Sequence, residues 1–363
     1  MLTQKEYWFW ICNINGIGYQ KITDLITYFG EPSEVFTAKE EQLMQIGSLE
    51  ERDIAYLKNR HKEDEVKKYY ELLEKEQIKF YLPTDEAYPS RLKHIFDPPY
   101  AIYAKGKLPE EDRLSVAIIG ARQCTNYGKE VALFFAKQLA QQGIQVISGL
   151  ATGIDGYGHM GALEGNGYTL GILGCGINKV YPESNYRLYE QLEQQGGILS
   201  EYGQNVLPKA FHFPRRNRLI AGMSDAILVV EARERSGSFI TVDQGLEQGK
   251  DIFVIPGRIT DELSIGCNRL VKMGAEIVCH PNDIIEHYHI GTNVIEHKQR
   301  QKKHFSEIQK KILGVLSVSP IHISHIVEAL HIEMGIAMEN LLWLELEGEI
   351  KQVTRNYYAI TLS

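Results

Sequence analysis

Val116-Ala117-Ile118-Ile119-Gly120-Ala121-Arg122 decides how the rest of the chain is read. Its apolar run suits a short strand buried on both faces, and Gly120 closes it where backbone can come close to a ligand. The amphipathic stretch Gly128 to Gln142 follows, with Val131, Phe135 and Leu139 at i, i+4 and i+8. Val146-Ile147 is the next strand. Further strands are predicted at Thr169 to Leu173, Ile198 to Ser200, Ala226 to Val230 and Ile252 to Ile255, with helical stretches between them. That alternation predicts an α/β class, a doubly wound and mostly parallel sheet with helices on both faces.

Working outward, residues 1–85 read as a helical domain. Trp8, Ile11, Ile14 and Ile17 fall near one stripe, then Gly16-Ile17-Gly18 separates it from the amphipathic Ile22 to Phe29, a helix-hairpin-helix (SAM-like) pattern. Such a turn can offer N–H groups to a phosphate. Its acidic surroundings favour packing or protein contact instead. Tyr88-Pro89 and Asp97-Pro98-Pro99 mark an extended connection into a Rossmann-like domain over residues 86–288. Residues 289–303 lose hydrophobic periodicity and read as a linker. Residues 304–363 give a helix, a proline-interrupted turn, helices at Ile323 to Leu330 and Gly335 to Glu347, and strands at Ile350 to Val353 and Tyr357 to Ile360, a winged-helix pattern.

The chain has 363 residues, enough for two or three domains, and its formal net charge is −8. That balance argues against simple coating of nucleic acid. The charge is unevenly spread: residues 1–87 hold 11 Lys and Arg against 17 Asp and Glu, residues 88–303 hold 24 against 23, and residues 304–363 hold 4 against 7. A site for a polyanion is therefore expected in the middle segment. No apolar run is long enough for a membrane span, and the N-terminus lacks the order of a signal peptide. Five scattered cysteines without a CxxC pair fit free thiols in a reducing cytoplasm.

Ligands of a doubly wound sheet sit at the carboxyl ends of its strands. Those ends carry Gly120-Ala121-Arg122, Ser148-Gly149, Gly174-Cys175-Gly176, Ser236-Gly237-Ser238 and Pro256-Gly257-Arg258. Small residues there allow backbone N–H groups to approach an anion. A dinucleotide does not fit, because the Gly-x-Gly-x-x-Gly fingerprint is absent and Ser148 stands where a ribose-binding carboxylate would be. A P-loop is absent as well. A phosphate polymer fits better. From Gln204 to Gly222, Lys209, Arg215, Arg216 and Arg218 occur without an acidic residue and are interleaved with Phe211, His212 and Phe213, with Asn217 beside them. Positive charge plus rings for base stacking is what a single-strand binder needs. In the competing reading Arg216 and Arg218 pair with carboxylates such as Glu201 or Glu231, and Phe213 is core. Asp155 and His159, at i and i+4, could do acid–base work; the reading adopted is that Asp155 caps a helix and hydrogen-bonds the loop. His280, His287 and His289 lack cysteine partners and read as packing or solvated residues, so no metal, cofactor or catalytic residue is expected.

In order and spacing, Tyr88-Pro89 with Asp97-Pro98-Pro99, Val116 to Arg122, Ser148-Gly-Leu-Ala-Thr-Gly-Ile-Asp155 with His159, Tyr181-Pro182, Ser200-Glu201, Phe213-Pro-Arg-Arg-Asn-Arg218, Ser236-Gly-Ser238 with Thr241, and Pro256-Gly257 with Gly266, Asn268 and Gly274-Ala275 resemble the DprA/Smf family. The resemblance runs from about residue 88 to 285. It implies a protein that binds single-stranded DNA without chemistry, forms a homodimer through its Rossmann-like domain, and loads RecA on the strand during natural transformation or recombination. It places Arg122 and the basic segment Lys209 to Arg218 at the DNA, to which the reading of the strand ends adds Gly120, Ser148, Gly149, Ser236, Gly237 and Ser238. Thr152 departs from the family, where a basic residue is frequent. The rival is a small-molecule enzyme of the nucleotide phosphoribohydrolase kind, but its Pro-Gly-Gly-x-Gly-Thr loop is not completed after Pro256-Gly257. A transcription factor is a second rival. The acidic winged helix, with Glu345, Glu347 and Glu349 in one run, speaks against a phosphate grip and is expected to be a protein-contact module.

Overall fold

The computed structural model describes residues 1–14, 16–58, 63–290 and 305–362. Its large sheet contains β1 (Lys79–Tyr81), β2 (Ile102–Gly106), β3 (Ser115–Ile119), β4 (Gln145–Ser148), β5 (Thr169–Leu173), β6 (Gly197–Ser200), β7 (Ala226–Val229), β8 (Asp251–Val254) and β9 (Glu276–Ile277). Their order is β1-β2-β6-β5-β4-β3-β7-β8-β9. From β6 across to β9 every pairing is parallel, whereas β1 and β2 join antiparallel. All the strands predicted from sequence are present. The apolar residues of β3 are fully or almost fully buried because helices cover both faces.

The chain builds outward from β3 through β4 and β5 to β6, then returns to the other side of β3 for β7 and β8. That reversal puts the topological switch between β3 and β7, where the carboxyl ends of the strands open a crevice. The helices that frame it are α8 (Asn126–Gln141), α9 (Ile154–Glu164), α10 (Tyr186–Gln195), α11 (His212–Gly222), α12 (Ser238–Glu247), α13 (Glu262–Lys272) and α14 (Pro281–His287).

The front of the chain differs from the expectation of a helical unit. Helices α1 (Gln4–Cys12), α2 (Tyr19–Phe29), α3 (Pro32–Thr37), α4 (Glu40–Leu43), α5 (Glu51–Lys58) and α6 (Glu63–Lys75) are followed by β1, and a seventh short helix, α7 (Ser90–Lys93), lies before β2. A three-residue strand is too short to show a period of two, so Lys79-Phe80-Tyr81 is illegible as a strand in isolation. The front helices and the sheet share one core, in which Phe9, Ile11 and Leu25 cluster with Leu173 and Ile198. Phe9 meets Phe80 and Tyr103 edge-on, Trp8 stacks on Tyr100 with centroids 5.5 Å apart, and Asn13 donates to the Tyr103 hydroxyl at 2.5 Å.

The helix-hairpin-helix turn is part of this contact. Gly16 holds a φ of 86°, which favours glycine, Ile17 is buried, and Lys21 forms a 2.6 Å ion pair with the fully buried Asp53. Tyr19 lies under the guanidinium of Arg215, 5.8 Å from ring centroid to Cζ. The turn packs against the sheet domain, as its acidic surroundings suggested.

The C-terminal region comprises α15 (Glu307–Val315), β10 (Ile321–His322), α16 (Ile323–Leu330), α17 (Met334–Leu346), β11 (Ile350–Thr354) and β12 (Tyr357–Ile360), with a three-stranded sheet ordered β10-β12-β11. Ile312, Ile326, Leu341, Leu344 and Ile350 form its own core. This is a winged helix. Lys351 reaches Glu130 of α8 at 2.5 Å, and Asn126 donates to the Val318 carbonyl at 3.1 Å. Residues 291–303 of the expected linker lie outside the described residues. No helix among the described residues is long and apolar enough to cross a membrane.

Candidate nucleic-acid interface

Helix α11 contains the arginine run, and its period divides that run. At 100° per residue, Phe213, Arg216, Asn217 and Ile220 share one face while Arg215 and Arg218 point the opposite way. The first face lines a groove of about 840 Å³ at the switch point. The strand ends complete it: Gly120, Ala121 and Arg122 after β3, Ala151 and Thr152 after β4, and Arg233, Arg235 and Ser236 to Ser238 after β7. Such a volume is in the range of ligand sites.

Four arginines, Arg122, Arg216, Arg233 and Arg235, line the groove against one carboxylate, Asp155. Arg122, Arg233 and Arg235 are exposed. Arg233 forms a 3.3 Å pair with Glu262, but both are solvated, so the pair is weak. The Arg122 guanidinium stands over the Phe213 ring at 5.6 Å, and Tyr181 leans on the same ring with centroids 5.4 Å apart. Ser236 and Ser238 share a 3.1 Å hydroxyl contact at the start of α12, whose N-terminal end favours an anion.

The groove floor is built from buried charge. Arg216 is 4% exposed and donates to the carbonyls of Gly149, at 2.7 Å, and of Ile172, with Nε on the Asn217 side-chain oxygen at 3.1 Å. Burial pulls its pKa down, to about 10, while the nearby Asp155 carboxylate opposes that shift. Asp155 is pushed up by burial, against the pull of Arg216 and of the Gly149 N–H, which it accepts at 3.1 Å. A Cβ at position 149 would stand 2.6 Å from Arg216 Nη2, so only glycine fits beneath this arginine.

Several sequence expectations change here. Asp155 bonds the loop as expected, but it lies inside α9, whose N-cap is Gly153. Ser148 is fully buried and donates to the Ile118 carbonyl at 2.6 Å, so its hydroxyl is committed to the sheet and not to a ligand. Gly149 lies under Arg216 and does not line the groove. His159 is fully buried against Thr169 at 2.6 Å, burial lowers its pKa to about 3, and it cannot act as an acid–base partner at the groove.

His212 also leaves the site. It is stacked on Tyr202 with centroids 4.1 Å apart and its Nδ1 sits 3.2 Å from the Gly174 carbonyl, so its ring faces are not open to a base. Arg218 pairs with Glu201 at 2.6 Å, as the competing sequence reading held, and Arg215 lies 3.5 Å from the same carboxyl group. Glu231 is instead bonded by the Thr125 N–H and hydroxyl at 2.8 and 2.5 Å. Of the remaining expected residues, Gly120, Arg122, Asn217, Ser236, Gly237 and Ser238 line the groove. Lys209 and Phe211 are exposed beside it, on a segment whose Pro208 and Ala210 line it.

Arg233, Arg235 and Tyr181 were not singled out from the sequence as site residues. The legible signal was position: Arg233 and Arg235 follow β7, the partner of β3 at the switch. Pro256-Gly257-Arg258, where a phosphoribohydrolase loop would sit, does not line the groove. Gly257 is held instead by Asn268, which donates to its carbonyl at 3.0 Å. Among the described residues no cluster of His, Cys, Asp and Glu could hold a metal ion, and the five cysteines are free.

Comparison with known proteins agrees with this architecture. The family model for DNA recombination-mediator protein A matches residues 79–289, and that for the DprA winged helix domain matches residues 296–354. The DNA processing protein DprA of Streptococcus pneumoniae is 39% identical over 204 residues, covering 56% of this chain and 72% of that protein. The Smf protein of Escherichia coli is 42% identical over 212 residues, covering 58% and 57%. Among solved structures, DprA from Streptococcus pneumoniae superposes with a TM-score of 0.66 at 31% identity, over 78% of this chain and 98% of that one. A structure of DNA processing protein A from Helicobacter pylori, concerned with its single-stranded DNA binding mode, gives 0.54 at 30% identity, over 58% and 95%. With the sheet, the winged helix and the switch-point groove in place, the chain belongs to the DNA recombination-mediator protein A family, the DprA/Smf proteins.

Proposed function

We propose that this chain binds single-stranded DNA in the switch-point groove, performs no chemistry on it, and as a homodimer in the cytoplasm protects strands and loads RecA on them during transformation or recombination. The observation that carries the reading is the groove's charge, four arginines against one carboxylate in a chain whose net charge is −8. Exposed Arg122, Arg233 and Arg235 supply adaptable phosphate contacts, and Lys209 extends the positive track beyond the rim. Phe211, 66% exposed, offers a ring on which a base can stack, with Lys209 Nζ 5.8 Å from its centroid. The likeness to the Helicobacter pylori protein, whose single-stranded DNA binding mode has been described, supports single-stranded DNA as the ligand.

Among the described residues Asp155 accepts from the Gly149 N–H beside the charge of Arg216, and His159 is sealed in the core, which favours binding over hydrolysis. The winged helix carries an acidic surface and is assigned to protein contact. Fluorescence anisotropy of a labelled oligonucleotide, single-stranded against duplex at several salt concentrations, tests the reading. A single-strand preference that falls steeply with salt is expected. Absence of binding at low salt, or release of base from a nucleoside monophosphate, would assign the groove to a small-molecule enzyme. RecA loading is then read as faster RecA filament formation on strands coated with a single-strand-binding protein; no acceleration would remove that part.

A further inference from the structure

Helix α17 is apolar on more than one face. Ala337, Leu341 and Leu344 are fully buried in the winged-helix core. Met334, Met338, Leu342 and Leu346, spaced four apart, form a second stripe that is between 44% and 79% exposed. Ile336 and Trp343 widen it, and Phe305 meets the Trp343 ring edge-on with centroids 6.1 Å apart. A helix that is apolar beyond its buried face belongs in an interior, and an exposed apolar patch rimmed by polar residues marks an interaction site.

The charges around the stripe select the partner. Helix α17 contains Glu339 and Glu345 and no Lys or Arg, Glu333 stands at its N-cap, and Glu347 and Glu349 follow its end. Glu345 accepts from the Gln352 N–H at 3.0 Å, so that edge of the helix adjoins the wing. Of the neighbouring cations, Lys351 is engaged by Glu130 and Lys310 by Glu307. In a winged helix α17 is the second helix of the helix-turn-helix pair, the one that enters a major groove. Without a cation it offers nothing to phosphate, and its carboxylates repel DNA and an anionic bilayer alike. A second copy fits no better, because antiparallel pairing of two α17 helices would set Glu339, near the middle, close to its own counterpart. We infer, taking the winged helix as a protein-contact region, that the α17 stripe receives an amphipathic helix of another protein whose apolar face is flanked by Lys or Arg. Its apolar side chains would cover Met338, Leu342 and Leu346, and its cations would meet Glu339 and the carboxylates beyond the end of α17. The stripe shares no residue with the switch-point groove.

A labelled peptide of leucine and lysine, about 18 residues or five turns long, with its leucines on one face, tests this when titrated with the full chain by fluorescence anisotropy, beside the same peptide with glutamate for lysine. Binding of the lysine peptide alone is expected. Leu342→Ser should weaken it by about tenfold or more, the lower end of what burying a leucine contributes, and Glu339→Gln by about two- to fivefold. Both positions are exposed, so melting should stay near wild type. Leu342→Ser leaves the charge unaltered, so its effect separates the stripe from general attraction to a chain of net charge −8. A lysine peptide that does not bind, or binds Leu342→Ser as well as wild type, or is matched by the glutamate peptide, overturns the inference. Duplex DNA binding that Leu342→Ser abolishes would overturn the protein-contact reading as well, and self-association in sedimentation velocity that the same substitution abolishes would make the occupant a second copy instead.

Discussion

The two faces of α11 carry the same residue type to opposite ends. On one face Arg216 is fixed to the sheet and presents charge to a groove whose other arginines are solvent-exposed; on the other, Arg215 and Arg218 are held by Glu201 and Asp97. In the sequence these arginines form a single basic cluster. In the fold, the helical period makes one of them a groove floor and the others part of a carboxylate network. Clustering in sequence therefore measures charge density, while the partner each cation finds determines whether that charge is available to a ligand.

Experiments that break or sharpen this contrast differ in size. The largest effect is expected for Arg216→Met. It removes the bonds to Gly149 and Ile172 and leaves Asp155 buried without its cation, which should cost about 3–5 kcal/mol of stability, read as a drop in denaturant midpoint. An unchanged midpoint would show that the buried arginine is not structural.

Arg122→Glu combined with Arg235→Glu comes next. Both side chains are exposed, so melting should stay near wild type while single-strand affinity falls by about a hundredfold, with a shallower salt slope. Equal losses of stability and binding would erase the distinction between the groove and the carboxylate network. A third test concerns pH. His159 has a folded-state pKa near 3, far below its ordinary value, because burial disfavours the charged form. The unfolded chain binds that proton first, so stability falls as pH drops through the range between the two values. Between pH 7 and pH 5 the loss should be about 2 kcal/mol, and His159→Gln should flatten the slope of melting temperature against pH. The smallest expected effect is that of Phe211→Ala, about tenfold in single-strand affinity without a change in melting, since one stacked base contributes about 1–3 kcal/mol.

The central strands and the winged helix were legible because their apolar runs are bounded by glycine, proline or polar residues, and their periods are unambiguous. The edges were not. β1 and β2 owe their pairing to β6 and to the front helices, and that information is long-range. At the candidate site, the Ser236 to Ser238 turn was readable from its strand end, whereas Arg122 and Asn217 were assigned through the family resemblance; all of them line the groove. Ser148 and His212 looked equally suitable, and only the fold reveals that a carbonyl and a tyrosine ring had already engaged them. Arg233 and Arg235 were hidden by Glu231 and Glu234, which together cancel the local charge in sequence although the two arginines both line the groove. The separation of Arg215 from Arg216 was available from helical geometry, since 100° per residue puts them on different faces.

Arg216 has a further consequence for the way a strand would be held. A surface lysine or arginine must give up about 2 kcal/mol of rotamer freedom when it closes on a phosphate. Arg216 lost that freedom when the chain folded, because its guanidinium is locked by two backbone carbonyls and by Asn217. Its charge is a fixed point in the groove, while Arg122, Arg235 and Lys209 adjust around it. A polymer of identical phosphates has no intrinsic register on a mobile surface; against one immobile cation it acquires a preferred position, and the freer arginines can tolerate any sequence that follows.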